Sequence, residues 1–329
     1  MANKALSPID AARLLASVYG RRLDSPVVYT QGVALSGRLR LNELDRTSPD
    51  PAQDIGQIVA PCLSNRDTMF GAKAGTANFA GVCWADELSI ATSDRRYADL
   101  LVDVAGRFQP PTADEPVMPP LDRDIRTEDF FFAATILGRA FRVTGNEKYL
   151  DVLTAFLFAA DTQQPGGLWW HCRASPYFWG RGNAFAALGF AEALTYIPDG
   201  HPARSRLADA HLRHLGGLLE HQDNSGMWRQ VIDRPDSYLE HSATSMIGCS
   251  IARGLRLGWL DGDWTRVVDR AWDAVSQRIG PGGELEHVCV GTGPQPNLDA
   301  YLNRPFTDGL DDRGGSMALW FAVEMARIK

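Results

Sequence analysis

The chain has 329 residues, 45% of them hydrophobic and 22% charged, with a net charge of −7. That is the composition of a globular protein with a sizeable core rather than of a disordered chain, and no Ser-, Gly- or Pro-rich linker divides it, so one domain over residues 1–329 is expected. The acids are dispersed and the Lys and Arg residues form no stripe that could follow a phosphate backbone, which argues against nucleic acid as a partner.

The opening stretch from Met1 meets Asp10 and Arg13 before any long apolar run, so a signal peptide is not expected. Nothing later is long and apolar enough to suggest a membrane span. Cys62, Cys83, Cys172, Cys249 and Cys289 are scattered without a CxxC pair, which fits buried free thiols in a cytoplasmic protein. Val27–Gln31 and His287–Val290 read as short strands or extended loops; the remaining pattern is helical.

Two weak internal repeats punctuate that pattern. Thr92-Ser-Asp-Arg-Arg-Tyr97-Ala-Asp matches Thr144-Gly-Asn-Glu-Lys-Tyr149-Leu-Asp, 52 positions later, and each lies between apolar segments as a tight helix–helix connection would. Gly167-Leu-Trp169, Gly226-Met-Trp228 and Gly283-Glu-Leu285 follow polar turns at spacings of 59 and 57 residues. One helical hairpin per ~55 residues gives about six hairpins, the number that closes into an all-α (α/α)6 barrel. An open solenoid uses the same hairpins, but it repeats more regularly. Phe131, Phe132, Thr135, Ile136, Arg139 and Val143 recur at three- and four-residue steps, and the small-residue runs Ala184–Ala191 and Ser242–Cys249 suit an inner ring of closely approaching helices.

In such a barrel the loops at one end converge on a pocket, so polar residues at helix starts beside aromatics are the candidates for chemistry. Glu128 and Asp129 open a strongly apolar helix; they are either helix-start acids favoured by the dipole or carboxyls whose pKa burial raises toward a general acid's range. Trp170 and His171 follow a turn, where a lone His is either a core hydrogen-bonding residue or a substrate contact. Ser175–Phe185 packs Trp179, Arg181 and Asn183 among glycines: Trp faces stack on sugar rings and an Arg fork pairs with a carboxylate, the alternative being a core Trp and an Arg that ties two loops together. Asp236–Thr244 reads as a loop entering a helix capped by Glu240 or Ser242. The glycines of Cys289–Pro294 lack the continuation of a phosphate loop.

No metal or other cofactor is expected. His201, His211, His214 and His221 have no ligand-spaced Cys or carboxylate set, and the helix carrying His211, Arg213 and His214 reads as a solvated face. A nucleophile elbow is absent as well.

The same stretches resemble the unsaturated uronyl hydrolases, glycoside hydrolase families 88 and 105. The resemblance is carried by Trp179-Gly-Arg181-Gly-Asn183 after Pro176, by Asp236–Thr244 with Ala252–Leu260, by Cys289–Gly293, by Asp312–Gly315 before the closing helix, and by Tyr29–Gly37 near the start. It implies an (α/α)6 barrel and hydration of the C4=C5 double bond of a terminal unsaturated galacturonyl or glucuronyl residue. A carboxylic acid protonates C4, water adds at C5, and the hemiketal collapses to release the sugar. The family's catalytic Asp falls on Glu128, with Asp129 beside it as rival; His171, Trp179, Arg181, Asn183 and Phe185 fall on the substrate-binding side, Arg181 facing the uronate carboxylate and Phe185 standing where many members have Trp. No acid occupies Asn78–Gly81, where many members carry a second Asp, and Asp86 and Glu87 lie about two turns further on. A monomer or homodimer acting on an oligosaccharide is expected, the alternatives being a sibling sugar epimerase or lyase, or a barrel that binds carbohydrate without turnover.

Overall fold

The computed structural model describes residues 6–110, 112 and 120–329; the first five residues of the stretch read above against a leader lie outside the described residues. Helices alternate between an outer and an inner layer. In chain order, α1 (Pro8–Val18) is outer and α2 (Tyr29–Leu44) inner. The outer α3 (Ala52–Ser64) and short α4 (Arg66–Phe70) lead to an inner element in pieces: α5 (Thr76–Phe79), a 3-10 turn at Ala80–Val82, and α6 (Ala85–Thr92). Then come outer α7 (Arg95–Ala105) and inner α8 (Thr127–Thr144), outer α9 (Lys148–Ala159) and inner α10 (Gly180–Tyr196), outer α11 (Arg204–Glu220) and inner α12 (His241–Leu257). The last pair is outer α13 (Thr265–Ser276) and inner α15 (Asp312–Ile328), separated by a two-stranded ribbon of β1 (Leu285–Cys289) and β2 (Phe306–Gly309) with α14 (Leu298–Leu302) between them.

The inner helices pack in sequence, α8 on α10, α10 on α12, α12 on α15, and α15 back on α2, which meets the α5–α6 segment and through it α8. The ring is therefore closed, an (α/α)6 barrel rather than an open solenoid. Inner helices are buried around nearly their whole circumference, which is why their sequences lack a polar face. Close approach is what the small residues permit: a Cβ on Gly189 of α10 would come within 2.5 Å of the Phe130 carbonyl carbon of α8.

Both repeats have a structural meaning. Thr92 and Thr144 each bond back to the carbonyl four residues earlier at 2.7 Å, Ser93 and Gly145 turn the chain at φ 57° and 66°, and Asp94 and Asn146 each accept the backbone N–H two residues on. These are two of the inner-to-outer connections at one end, α6 to α7 and α8 to α9. At the other end, Gly167 and Gly226 sit at φ 92° and 94°, and each lies against the next outer helix: a Cβ would fall 2.1 Å from Arg213 O and 2.2 Å from Arg270 O. Gly283 occupies the equivalent turn of the last repeat and packs on Val18 of α1, so the same contact that links neighbours also closes the ring.

Val27–Gln31 departs from its expected extended form, because helix begins at Tyr29 and its residues are buried on all sides from Thr30 to Leu41. A buried helix has no polar alternation, so its period was hidden. His287–Val290 does enter β1. His211 and His214, expected on a solvated face, are fully buried. The exposed neighbours of these histidines gave the helix its polar composition, but His211 stacks on Phe190 and His214 reaches Asn183 Oδ1 at 3.2 Å.

The C-terminal ends of the inner helices hold a buried ionic network. Arg139 and Asp86, both without exposure, pair at 2.8 Å; Arg139 also meets Glu87 at 2.9 Å, and Arg253 bridges Glu192 and Glu324. Asp86 and Glu87 thus serve the far end of the barrel, as their distance along the chain implied. Arginines there complement the negative ends of the helix dipoles, and each buried charge has an opposite partner.

The turn contacts make a direct prediction. Gly226→Ala places a side chain at a left-handed φ and into Arg270 O, so it should destabilise by ~2 kcal/mol or more, while Gly200→Ala, where nothing lies within 4 Å, should change stability by less than ~0.5 kcal/mol in chemical denaturation.

Candidate active site

All the inner helices run in the same sense, so their N-termini converge on one end, and a cavity of about 530 Å³ opens there. One wall is aromatic: Tyr29 packs on Phe132 at 5.0 Å and edge-on to Phe185 at 5.4 Å, with Trp179 completing the lining. The opposite character comes from Glu128, Asp129 and Asp122 among the acids and Arg126, Arg181 and Arg313 among the bases.

Glu128 and Asp129 are consecutive in the first turn of α8, yet their surroundings differ. Glu128 Oε1 is 3.1 Å from His171 Nε2. Burial alone would raise its pKa, but the charge and hydrogen bond of His171, with Arg126 adding, outweigh burial and hold Glu128 below the usual glutamate range. Asp129 accepts from the Thr76 hydroxyl at 2.5 Å and from the Asp122 backbone N–H at 2.8 Å. Burial dominates here nonetheless, and with the charges of Glu128 and Asp122 added it pushes Asp129 up to about 7. Below about pH 7 two adjacent carboxyls thus stand in different protonation states, the arrangement in which one can serve as acid and the other as base.

Trp179 precedes α10 and is almost fully buried, its ring 4.5 Å from that of His171 and 4.9 Å from the Arg181 guanidinium. Arg181 reaches across the barrel, donating to the carbonyls of Cys289 at 2.6 Å and Val290 at 2.7 Å. Glu240 caps α12 by accepting from the N–H groups of Ser242 and Ala243, and its Oε1 also accepts from Cys289 N–H at 2.9 Å. A single peptide segment, Cys289–Val290, is therefore gripped by a carboxylate on one side and a guanidinium on the other. That grip carries Gly291 and Thr292 to the cavity wall.

Of the residues singled out from the sequence, Glu128, Asp129, Trp179, Arg181 and Phe185 line the cavity. His171 is buried behind Glu128. Asn183 is also buried, and its amide binds both the N–H and the C=O of Trp169 at 2.9 Å and the Trp179 carbonyl, holding the two loop strands that lead into α10. Tyr29, Thr76, Arg126 and Arg313 also line the cavity without having been assigned a role. Thr76 lies in α5, just before Asn78–Gly81 where many family members carry a second Asp, and it presents a hydroxyl to Asp129; Asn78 in the same helix donates to the Val27 carbonyl and accepts from Gly75 N–H. Among the described residues no group of three His, Cys, Asp or Glu side chains is placed to hold a metal ion, and no helix is long and apolar enough to cross a membrane.

The environment of Asp129 gives a signed pH dependence. Its folded pKa lies above the unfolded value near 3.9, so the native state retains a proton that the unfolded chain has lost between about pH 4 and 7, and this group's contribution to stability falls as pH rises through that window. Asp129→Asn removes the titration. Its stability relative to wild type should therefore rise by ~2–4 kcal/mol from pH 4 to pH 8 in denaturant melts, and an unchanged difference would contradict the raised acidity.

The Glycosyl Hydrolase Family 88 model matches residues 125–329. Among curated proteins, the chain is 32% identical over 156 residues to the unsaturated rhamnogalacturonyl hydrolase YesR of Bacillus subtilis, covering 47% of this chain and 43% of that one. It is 30% identical over 149 residues to an unsaturated 3S-rhamnoglycuronyl hydrolase of Alteromonas sp., covering 44% and 36%. The chain thus aligns with less than half the length of these curated relatives. Over the whole fold it resembles the crystal structure of a possible GH105 member from Salmonella enterica, with a TM-score of 0.82, 19% identity and coverage of 100% of this chain and 96% of the other.

Proposed function

Because the chain belongs to glycosyl hydrolase family 88, we propose that it is, as one catalytic domain over residues 1–329, a hydrolase of oligosaccharides ending in an unsaturated galacturonyl or glucuronyl residue. The observation that carries this reading is the pair Glu128–Asp129, one carboxyl held ionised and its neighbour held protonated to about pH 7, beside an aromatic wall and three arginines. Unsaturated rhamnogalacturonyl and rhamnoglycuronyl hydrolases among the relatives support the substrate class.

In this mechanism the uronate carboxylate faces Arg181, whose charge its bonds to the Cys289 and Val290 carbonyls hold in place, and the inner-helix N-termini point their positive dipole ends the same way; Arg126 and Arg313, at the same cavity, are paired with Asp122 and Asp311. The sugar ring stacks on Trp179 and Phe185. Asp129 delivers its proton to C4, and Glu128, held by His171, takes a proton from the water whose oxygen bonds to C5. One hydrogen and one hydroxyl are thereby added across the double bond. The hemiketal at C5 then collapses with release of the remaining sugar, and a proton passed through solvent from Glu128 to Asp129 restores the site. Thr76, in this view, orients the Asp129 carboxyl that an acid at its position would instead have repelled.

A cytoplasmic location, as a monomer or homodimer, goes with this reading; the buried free thiols of Cys62, Cys83, Cys172, Cys249 and Cys289 fit a reducing compartment. No metal or other cofactor enters the mechanism.

The test is to follow loss of the enol-ether absorbance of unsaturated rhamnogalacturonyl and glucuronyl disaccharides. Wild type should consume at least one, and Glu128→Gln and Asp129→Asn should each lower kcat by about 10²-fold or more. No consumption by wild type, or full activity in both variants, would sink the proposal.

A further inference from the structure

Behind Glu128 lie three buried groups from separate parts of the chain: His171, Ser175 and Tyr301, the last from α14. His171 Nδ1 is 2.5 Å from Tyr301 Oη, and Tyr301 Oη is 2.7 Å from Ser175 Oγ. Their protons can be counted. Ser175 Oγ donates to the Gln295 carbonyl at 2.7 Å, an oxygen that only accepts, so the serine proton is committed there. Gln295 N–H donates to Tyr301 Oη at 3.1 Å. Tyr301 therefore has one proton and two possible acceptors, Ser175 Oγ and His171 Nδ1. On the other side of the ring, an ionised Glu128 requires a proton on Nε2.

Two arrangements satisfy every one of these groups. In the first, Tyr301 donates to Nδ1, and a neutral His171 donates Nε2–H to Glu128. In the second, Tyr301 donates to Ser175 Oγ, and His171 carries protons on both nitrogens, giving Nδ1–H to Tyr301 Oη and Nε2–H to Glu128. Between the two, no heavy atom moves and no buried donor loses its acceptor. The other fully buried histidines lack this provision. Nδ1 of His211 and of His214 and both nitrogens of His241 have no hydrogen-bond partner, and burial holds all three neutral, His211 and His241 down to about 3.

We infer that Tyr301 is a positioning residue whose hydroxyl switches between His171 Nδ1 and Ser175 Oγ, so that His171 can carry one proton or two while its ring stays fixed against Glu128. Its catalytic meaning rests on the hydrolase reading, which has Glu128 change charge once per turnover. The other charged or titratable groups acting on this set are Arg126, immediately before α8, with Asp129 and Tyr29, on Glu128, and Cys172 and Tyr177 on Tyr301. None of these bonds to Nδ1.

The experiment is imidazole ¹⁵N NMR of the full chain through a pH series, for wild type, Tyr301→Phe and Ser175→Ala, with His171→Gln to assign the signal. Removing Tyr301 Oη leaves Nδ1–H without an acceptor, and removing Ser175 Oγ leaves the Tyr301 proton only Nδ1 to bond; each disfavours the charged ring. In both variants the protonated His171 signal should appear about one pH unit lower than in wild type, a tenfold change in the proton equilibrium. In Tyr301→Phe, kcat on an unsaturated uronyl disaccharide should fall about tenfold with KM within about twofold, and its pH profile should move by the same interval. A His171 titration matching wild type in either variant would overturn the switch. If wild type consumes no unsaturated uronide, the hydrolase reading falls while the spectra still decide the switch.

Discussion

Six inner elements running in the same sense place their N-termini at one end of the barrel and their C-termini at the other, and much of the remaining structure answers that polarity. Parallel dipoles packed side by side repel, and each end must be furnished with compensating charge. At the C-terminal end the compensation is largely internal: Arg139 and Arg142 meet Asp86, and Arg253 meets Glu192 and Glu324. At the N-terminal end the chain supplies acids, Glu128, Asp129, Glu240 and Asp311, and Arg126 and Arg313 pair with Asp122 and Asp311 around an open cavity.

The same polarity explains why two neighbouring carboxyls behave differently. Both sit in the first turn of α8, where the dipole favours ionisation equally. The difference comes from what stands opposite: a histidine with its own hydrogen-bonded support for Glu128, and a neutral hydroxyl and one backbone N–H for Asp129. Hydrogen bonds alone do not offset the burial of Asp129, so the residue keeps its proton. A second carboxylate at the Thr76 position would have coupled to this group directly; the threonine leaves Asp129 governed by burial and by Glu128.

What the sequence disclosed and what it concealed divide along locality. The Thr92 and Thr144 connections and the Gly167 and Gly226 turns are each made within a few residues, and their chemistry repeats in the chain as it repeats in space. The barrel could be counted from them. Glu128, Asp129, Trp179 and Arg181 were visible because acids, aromatics and an arginine stand out at helix starts. Thr76 was not, since its meaning depends on an acid 53 residues away, nor was Tyr301, 130 residues from the histidine it holds. His211 and His214 were misjudged for a related reason: three residues apart on one helix, they share a face that turns inward, while the exposed arginine between them set the local polarity.

The turn at Gly283 resting on Val18, with Tyr19 Oη bonding the Gly283 carbonyl at 2.8 Å, joins parts of the chain 264 residues apart. Nearer the far end of the same seam, Arg40 of α2 lies over Trp320 of α15 at 4.0 Å. Neighbouring hairpins can dock as they emerge during synthesis, but this seam has only one of its two sides until α15 exists. The inward face of α2, buried in the finished barrel, must wait uncovered for its partner. Closure therefore rests on contacts between distant parts of the chain, and the seam is where a chain lacking α15 would present apolar surface.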